Sequence, residues 1–388
     1  MNIETQLIHG GHTVDDSTGS VNIPIYQTST YSQISLNENN GYMYARADNP
    51  TRHALERLIA ELEEGDRGFA FSSGLAAINA VLALFSQGDT IITSDNLYGG
   101  TYRMFHNVYN RFGLQAKVVD TTNIEEIMRA IESSETIKAI YIESPSNPLL
   151  DVSDIEKIAE IAHANNLLLI VDNTFMSPYL QKPLNLGADI VLHSATKYLS
   201  GHSDLLAGVV VTKNSELGER IAFLQNSLGD ILSPNDSFLL IRGIKTLAVR
   251  LDRTLDNTEL FLTYLKDSPY IKSLYHPTLN THPNHDVFLN QTKGNIGLIS
   301  FELTEEVDVD ELLSHLSVIT LAVSLGGVES LICNPATTTH AVYPKNERDR
   351  IGLSPKLLRI SLGIEHGEDI VNDFDIALNK ALKNNKGE

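Results

Sequence analysis

Leu167-Leu168-Leu169-Ile170-Val171-Asp172 and Ile190-Val191-Leu192-His193-Ser194-Ala195-Thr196-Lys197 decide how this chain folds. Each is a short apolar run that stops at polar residues. Runs this short, without alternation, fit strands covered on both faces. More of the same kind flank them. Phe69–Phe71, Thr90–Thr93, Ala116–Val119 and Ala139–Glu143 lie upstream, and Gly208–Thr212 closes the series. Helical spacing separates them. Leu55, Leu58, Ile59 and Leu62 share one face of a helix that starts near Thr51 and ends at Gly65. Leu75, Ile78, Val81 and Leu82 mark a second, and Ile155–Ala164 a third. Strands alternating with helices predict an α/β fold around a mostly parallel sheet.

Outside this block the pattern changes. Residues 1–50 are polar and weakly periodic, and are expected to form an extended arm. Residues 51–245 hold the parallel sheet. A continuous helix is expected from Ser237 to Lys266. Residues 246–388 mix strands (Ile296–Glu302, Leu357–Ser361) with helices (Val309–Leu316, Asp369–Leu382), a smaller α+β C-terminal domain. Two domains suit the length of 388 residues.

Charge excludes some partners. With 29 basic and 49 acidic side chains the net charge is −20, which repels nucleic acid and anionic membrane. No apolar run is long enough to span a bilayer, and the first residues lack a signal core. One cysteine, Cys333, permits no internal disulfide and fits a reducing, cytoplasmic setting. His282 and His285 are separated by a proline and lack an evident third ligand, so no metal site is expected.

Four features suggest chemistry. Asp172 follows a buried strand, where ligands of parallel sheets collect. It could pair with a cationic ring nitrogen or simply cap a helix. Ser194 and Thr196 beside Lys197 suit an anion and a reactive amine, although an isolated loop lysine looks the same. Ser72-Ser73-Gly74-Leu75 is a strand-to-helix turn whose free N–H groups suit an anion, or a plain N-cap. Arg359, inside Leu357-Leu358-Arg359-Ile360-Ser361, needs a partner: a substrate carboxylate or an internal acid. Neither the dinucleotide glycine fingerprint nor a P-loop occurs. Together these features supply what pyridoxal 5′-phosphate (PLP) chemistry requires.

The chain resembles the Cys/Met-metabolism PLP enzymes, which include cystathionine lyases, cystathionine γ-synthases and methionine γ-lyases. The resemblance spans nearly the whole sequence. It runs through Ile8-His9-Gly10-Gly11, Pro24-Ile25-Tyr26-Gln27-Thr28-Ser29-Thr30, Asn49-Pro50-Thr51-Arg52 and Tyr98-Gly99-Gly100-Thr101. It continues through Glu143-Ser144-Pro145-Ser146-Asn147-Pro148, Val171-Asp172-Asn173-Thr174-Phe175, Asp189 to Gly208, Ser324-Leu325-Gly326-Gly327 and Arg359.

That resemblance implies a PLP-dependent transferase fold of type I, with Lys197 carrying the cofactor and Asp172 pairing with its ring nitrogen. Ser73, Gly74, Leu75, Ser194 and Thr196 are then expected at its phosphate, Tyr98 on the ring face and Asn147 near the ring oxygen. Tyr44 and Arg46 are expected to reach a neighbouring subunit's phosphate, in a homotetramer built as a dimer of dimers. Lys197, Tyr98 and Asp172 are the expected catalytic residues. Ser324 and Arg359 are expected to take the substrate carboxylate. The implied activity is carbon–sulfur cleavage of cystathionine and related sulfur amino acids by γ-elimination, with methionine or homocysteine γ-cleavage, cystathionine β-cleavage and γ-replacement as alternatives.

Gly100 and Arg103 look like the cystathionine enzymes; methionine γ-lyases usually have cysteine at position 100. Met43 and Val323 stand where cystathionine lyases commonly carry acids that face the far end of the substrate. The expectation is a pocket that prefers smaller or less polar thioethers and thiols, against drift around an ordinary cystathionine site. A non-catalytic PLP-fold protein would have lost Lys197 or Asp172, and both are present.

Overall fold

The computed structural model describes residues 1–11, 15 and 18–382. Parts of the expected arm (12–14, 16–17) and of the C-terminal domain (383–388) lie outside the described residues.

Seven strands form the larger sheet: β1 (Arg67–Phe71), β2 (Thr90–Ser94), β3 (Gln115–Val119), β4 (Ile137–Glu143), β5 (Leu168–Asp172), β6 (Ile190–Ser194) and β7 (Gly208–Thr212). Their order across the sheet is β1-β7-β6-β5-β4-β2-β3. β2 to β6 run parallel to one another. β7 runs antiparallel to both β6 and β1, so β1 points the same way as the parallel set. All the polar strand ends therefore emerge at one edge. Both faces are covered: the core on one side contains Leu169, Val171, Val191 and Val209, and on the other Phe69, Tyr141, Ile170 and Val210. Two-sided burial is why these strands read as continuous apolar runs.

The second sheet has five strands: β8 (Ile271–Tyr275), β9 (Leu298–Leu303), β10 (Thr320–Leu321), β11 (Leu331–Cys333) and β12 (Leu357–Ser361), ordered β8-β9-β12-β11-β10. Phe374, from the helix Gly367–Lys380, packs edge-on to Phe261 at 5.3 Å and to Phe301 at 5.6 Å. The chain is thus an α/β protein with a large, mostly parallel sheet and a smaller C-terminal sheet domain. Among the described residues no helix is long and apolar enough to cross a membrane.

Three local expectations need correction. Ile3–His9 is a helix, not extended arm; it buries Ile3 and Leu7 against the core that holds Leu55 and Leu58. Two anchors one turn apart are too few to show as periodicity. The helix Pro50–Glu63 is ended by Glu64 in the left-handed region (φ 58°), not by Gly65. Glu64 is held there by Lys182 and by Asn185, whose Nδ2 is 2.9 Å from its carboxylate.

The helix expected across Ser237–Lys266 is broken into Pro234–Ile244 and Leu247–Asp267. The break is stabilised by Arg250. Its guanidinium donates to the Gly243 carbonyl at 2.8 Å and to the Tyr198 carbonyl at 2.8 Å, and Nε donates to Thr246 Oγ1 at 3.1 Å. A cation at a helix C-terminus satisfies carbonyls that the break leaves free.

Asp373 fastens the smaller domain. It accepts the Ser317, Val318 and Ile319 amides at 2.9, 3.0 and 2.9 Å and the Ser317 hydroxyl at 2.7 Å. Burial alone would raise its carboxyl, but the Ser317 hydroxyl and the amides outweigh burial and hold it below the ordinary carboxylate value. Asp373→Asn is expected to destabilise the fold by about 2 kcal/mol at neutral pH, measured by guanidinium unfolding. A carboxyl depressed on folding stabilises above its unfolded pKa and loses that contribution as pH falls through its folded value. The gap between variant and wild type should therefore close below about pH 4.

Candidate active site

Glu143, Asp172 and Ser194 end β4, β5 and β6, so the sheet delivers all three to the same edge. Thr174 fastens two of these ends. Its amide and hydroxyl donate to Asp172 Oδ1 at 3.0 and 2.5 Å, and its Oγ1 accepts the Ser194 N–H at 2.8 Å. The Tyr141 hydroxyl lies 3.4 Å from the other Asp172 oxygen. Burial raises the Asp172 carboxyl, while Thr174 and the nearby His193 pull it back. His193 is itself buried against Glu63, 2.6 Å away. A half-buried acid supported in this way is suited to receive a cation.

The β1 end runs into Ser72-Ser73, and Ser73 caps the helix Gly74–Leu82 by accepting the Ala76 N–H at 3.1 Å. A Cβ at position 74 would lie 2.9 Å from Ser194 Cβ, so only glycine lets the helix start close on the β6 end. The first-turn N–H groups and the Ser194 and Thr196 hydroxyls then form a cradle suited to an anion.

Lys197 follows β6, and its Nζ donates to Ser324 Oγ at 2.7 Å. Ser324 comes from the smaller domain and holds a left-handed backbone (φ 95°), unusual for a residue with a side chain. Arg359, on β12, is 2% exposed. It donates to Asn147 Oδ1 at 2.7 Å and to the Ser324 carbonyl at 2.9 Å, while its buried Nε has no protein partner. Burial, and then the positive charge of Arg359, lower the Lys197 pKa to about 8.

These groups surround a cavity of about 440 Å³. It brings together Ser73, Gly74 and Leu75 with Ser194, Thr196 and Lys197. It also holds Tyr98, Asn147 and Asp172 from the other strand ends, and Val323, Ser324 and Arg359 from the smaller domain. The residues fit PLP: an acid for the ring nitrogen, an amine with a lowered pKa for its carbonyl carbon, and a glycine-opened cradle for the phosphate. The orphaned Arg359 Nε leaves a donor for a substrate carboxylate.

Met43, Tyr44, Arg46 and Arg103 do not line this cavity. Arg46 donates to Asn226 O and Oδ1 at 2.5 and 3.0 Å, and with Tyr44 borders a separate hollow. Met43 is 61% exposed, and Arg103 is exposed at the end of the helix Gly99–Arg103. His282 and His285 hydrogen-bond to the Leu150 and Pro277 carbonyls. A Cβ at position 100 would lie 2.4 Å from Tyr98 Cε1, so Gly100 leaves room for that ring.

Sequence reasoning did not single out Glu143, Thr174, Tyr141, His193 or Glu63. Glu143 and Thr174 carried one usable signal, their position at strand ends. The buried Glu63–His193 pair had none, because it joins a helix to a strand far along the chain.

Comparison with known proteins agrees with this geometry. The profile of the "Cys/Met metabolism PLP-dependent enzyme" family matches residues 4–379. A cystathionine beta-lyase of Lactococcus lactis is 52% identical over 378 residues, 97% of this chain and 99% of the relative. A cystathionine gamma-lyase of Bacillus subtilis is 50% identical with the same coverage. The crystal structure of cystathionine gamma-lyase from Lactobacillus plantarum complexed with L-serine superposes with a TM-score of 0.96 at 48% identity, covering 98% of this chain and 99% of that one. With a family profile matched over residues 4–379 and relatives about half identical across nearly all of its length, the chain belongs to the Cys/Met-metabolism family of PLP-dependent enzymes.

Proposed function

We propose that the chain is a carbon–sulfur lyase that cleaves cystathionine and related sulfur amino acids by γ-elimination. Cystathionine and water would give cysteine, 2-oxobutanoate and ammonia. The observation that carries this reading is that Lys197 and Arg359 meet on one residue, Ser324. A proton acceptor and a carboxylate receptor are thereby held at the spacing of one amino-acid substrate.

PLP bound in the cavity supplies the electron sink that makes a substrate α-proton acidic. The chain's residues do the rest. Arg359 takes the α-carboxylate, with Ser324 beside it. Lys197 removes the α-proton; with a pKa about 8, roughly a tenth of its amine is neutral at pH 7. Asp172 would pair with the ring nitrogen, the Ser73–Leu75 turn, Ser194 and Thr196 would hold the phosphate, and Asn147 would face the ring oxygen. Tyr98, 42% exposed at the cavity, is the second proton carrier, toward the departing sulfur. Incubation with cystathionine should yield 2-oxobutanoate. Pyruvate as the main 2-oxo acid would instead establish β-cleavage, the activity named for the Lactococcus relative.

Selectivity rests on the cavity mouth. Val323 and Leu206 line it and are 59% and 66% exposed, an apolar rim; among the described residues the acids lining the cavity are Glu143 and Asp172, at the strand ends. This favours smaller or less polar thioethers and thiols, such as homocysteine or methionine. Val323→Glu should raise kcat/KM on cystathionine about threefold, the ~0.7 kcal/mol of an exposed ion pair, without helping methionine. An unchanged ratio between the two substrates would show that the rim does not select.

Tyr44 and Arg46 do not line their own cavity and border a separate hollow, which supports a role in a neighbouring subunit's site within a homotetramer. Arg46→Ala and Lys197→Ala are each expected to lose at least about 90% of activity, more than 1.4 kcal/mol of transition-state stabilisation. Mixed and refolded together, they should regain activity through hybrid sites that carry both wild-type residues. Absence of recovery in verified hybrid oligomers would place Arg46 in its own chain's site.

A further inference from the structure

Glu143 is a buried carboxyl at the cavity that none of the roles above uses. It ends β4, and its register partner on β5 is Asp172. Registered residues on parallel neighbours point to the same face, so the buried Glu143 and the half-buried Asp172 stand side by side. Two carboxylates this close do not both stay ionised in a dry setting.

Their surroundings decide which one keeps a proton. Asp172 has the Thr174 amide and hydroxyl on one oxygen and the Tyr141 hydroxyl near the other. Glu143 has the backbone N–H of Tyr98, which lies 3.1 and 3.0 Å from its two oxygens. The titratable groups acting on Glu143 or responding to it are Asp172 from β5, Tyr141 from its own strand and Tyr343 from the smaller domain. Negative charge is better supported on Asp172. Burial, and then Asp172, push the Glu143 carboxyl well above its ordinary range.

Tyr98 is the N-cap residue of the helix Gly99–Arg103, and its side chain caps nothing. In a capping box, an acid three residues into the helix binds the N-cap N–H. Here the acid comes from a neighbouring strand.

We propose that Glu143 is a positioning residue: a neutral carboxyl group that holds the Tyr98 amide, fixes the start of the helix Gly99–Arg103 and so keeps the Tyr98 ring at the cavity. This rests on reading the cavity as the PLP site with Tyr98 at work in it. The ring follows the amide because Gly100 lets it fold back against the start of its own helix, the part that Glu143 holds.

The test compares Glu143→Gln with Glu143→Ala in PLP-loaded enzyme. Glutamine keeps the shape and an acceptor but cannot ionise. Expected for Glu143→Gln are kcat and KM within about twofold of wild type, the same pH profile of kcat/KM between about pH 6 and 9, and the same visible circular dichroism of the bound cofactor. Expected for Glu143→Ala are a kcat at least about tenfold lower, KM nearly unchanged and a weakened visible signal. Combined with Tyr98→Phe, the alanine loss should be less than multiplicative, as for residues acting through one another.

A glutamine variant as impaired as alanine, or with a displaced pH limb, would overturn the neutral role. Wild-type behaviour of Glu143→Ala would overturn positioning. Should the alanine variant fail to fold, the glutamine kinetics and pH profile decide alone. Failure of the underlying PLP reading would look different: wild-type protein would show no visible absorption after incubation with PLP.

Discussion

The hydrogen bond from Lys197 Nζ to Ser324 Oγ is the constraint on which the site depends. Lys197 belongs to the large sheet and Ser324 to the smaller domain, so this contact requires the two to stand at a fixed separation. Arg359 reinforces it from β12 through the Ser324 carbonyl and Asn147. Burying a guanidinium with one nitrogen unpartnered is costly, and so is a left-handed serine. Both costs are concentrated around the cavity, where they pre-form a receptor for a carboxylate beside a reactive amine.

Electrostatics in the cavity follow from the sheet order. Parallel strands bring Glu143, Asp172 and Ser194 to one edge, while Lys197 and Arg359 approach from the loop beyond β6 and from the second sheet. Two cations lower each other's affinity for protons, and two acids raise theirs. The result is an amine that loses its proton readily and an acid pair that gives up one charge before two.

Much of this was legible in the sequence. The apolar runs marked β5 and β6 because two-sided burial makes them mostly aliphatic, and their polar ends marked Asp172 and Lys197. Gly208–Thr212 and Leu357–Ser361 were recognisable for the same reason. What stayed hidden depends on distance along the chain. Helical spacing continues through Lys245 and Thr246, so nothing local announces the break that Arg250 stabilises. The adjacency of Glu143 and Asp172 needs strand order and register, which neither run specifies alone. Glu63 and His193 are separated by 130 residues and meet only in the folded core.

Arg250 gives the site a property of a different kind. Its guanidinium, away from the cavity, grips the backbone at Tyr198, next to Lys197, and at the broken helix. Burial lowers its pKa to about 10, still above the Lys197 value of about 8, so it keeps its charge as Lys197 begins to lose its proton. A buried contact is also little screened by salt. The lysine's main chain is thus moored to a datum that neither acidity nor ionic strength disturbs under working conditions. Solution conditions can tune the charge of the amine while its origin stays in register with the sheet.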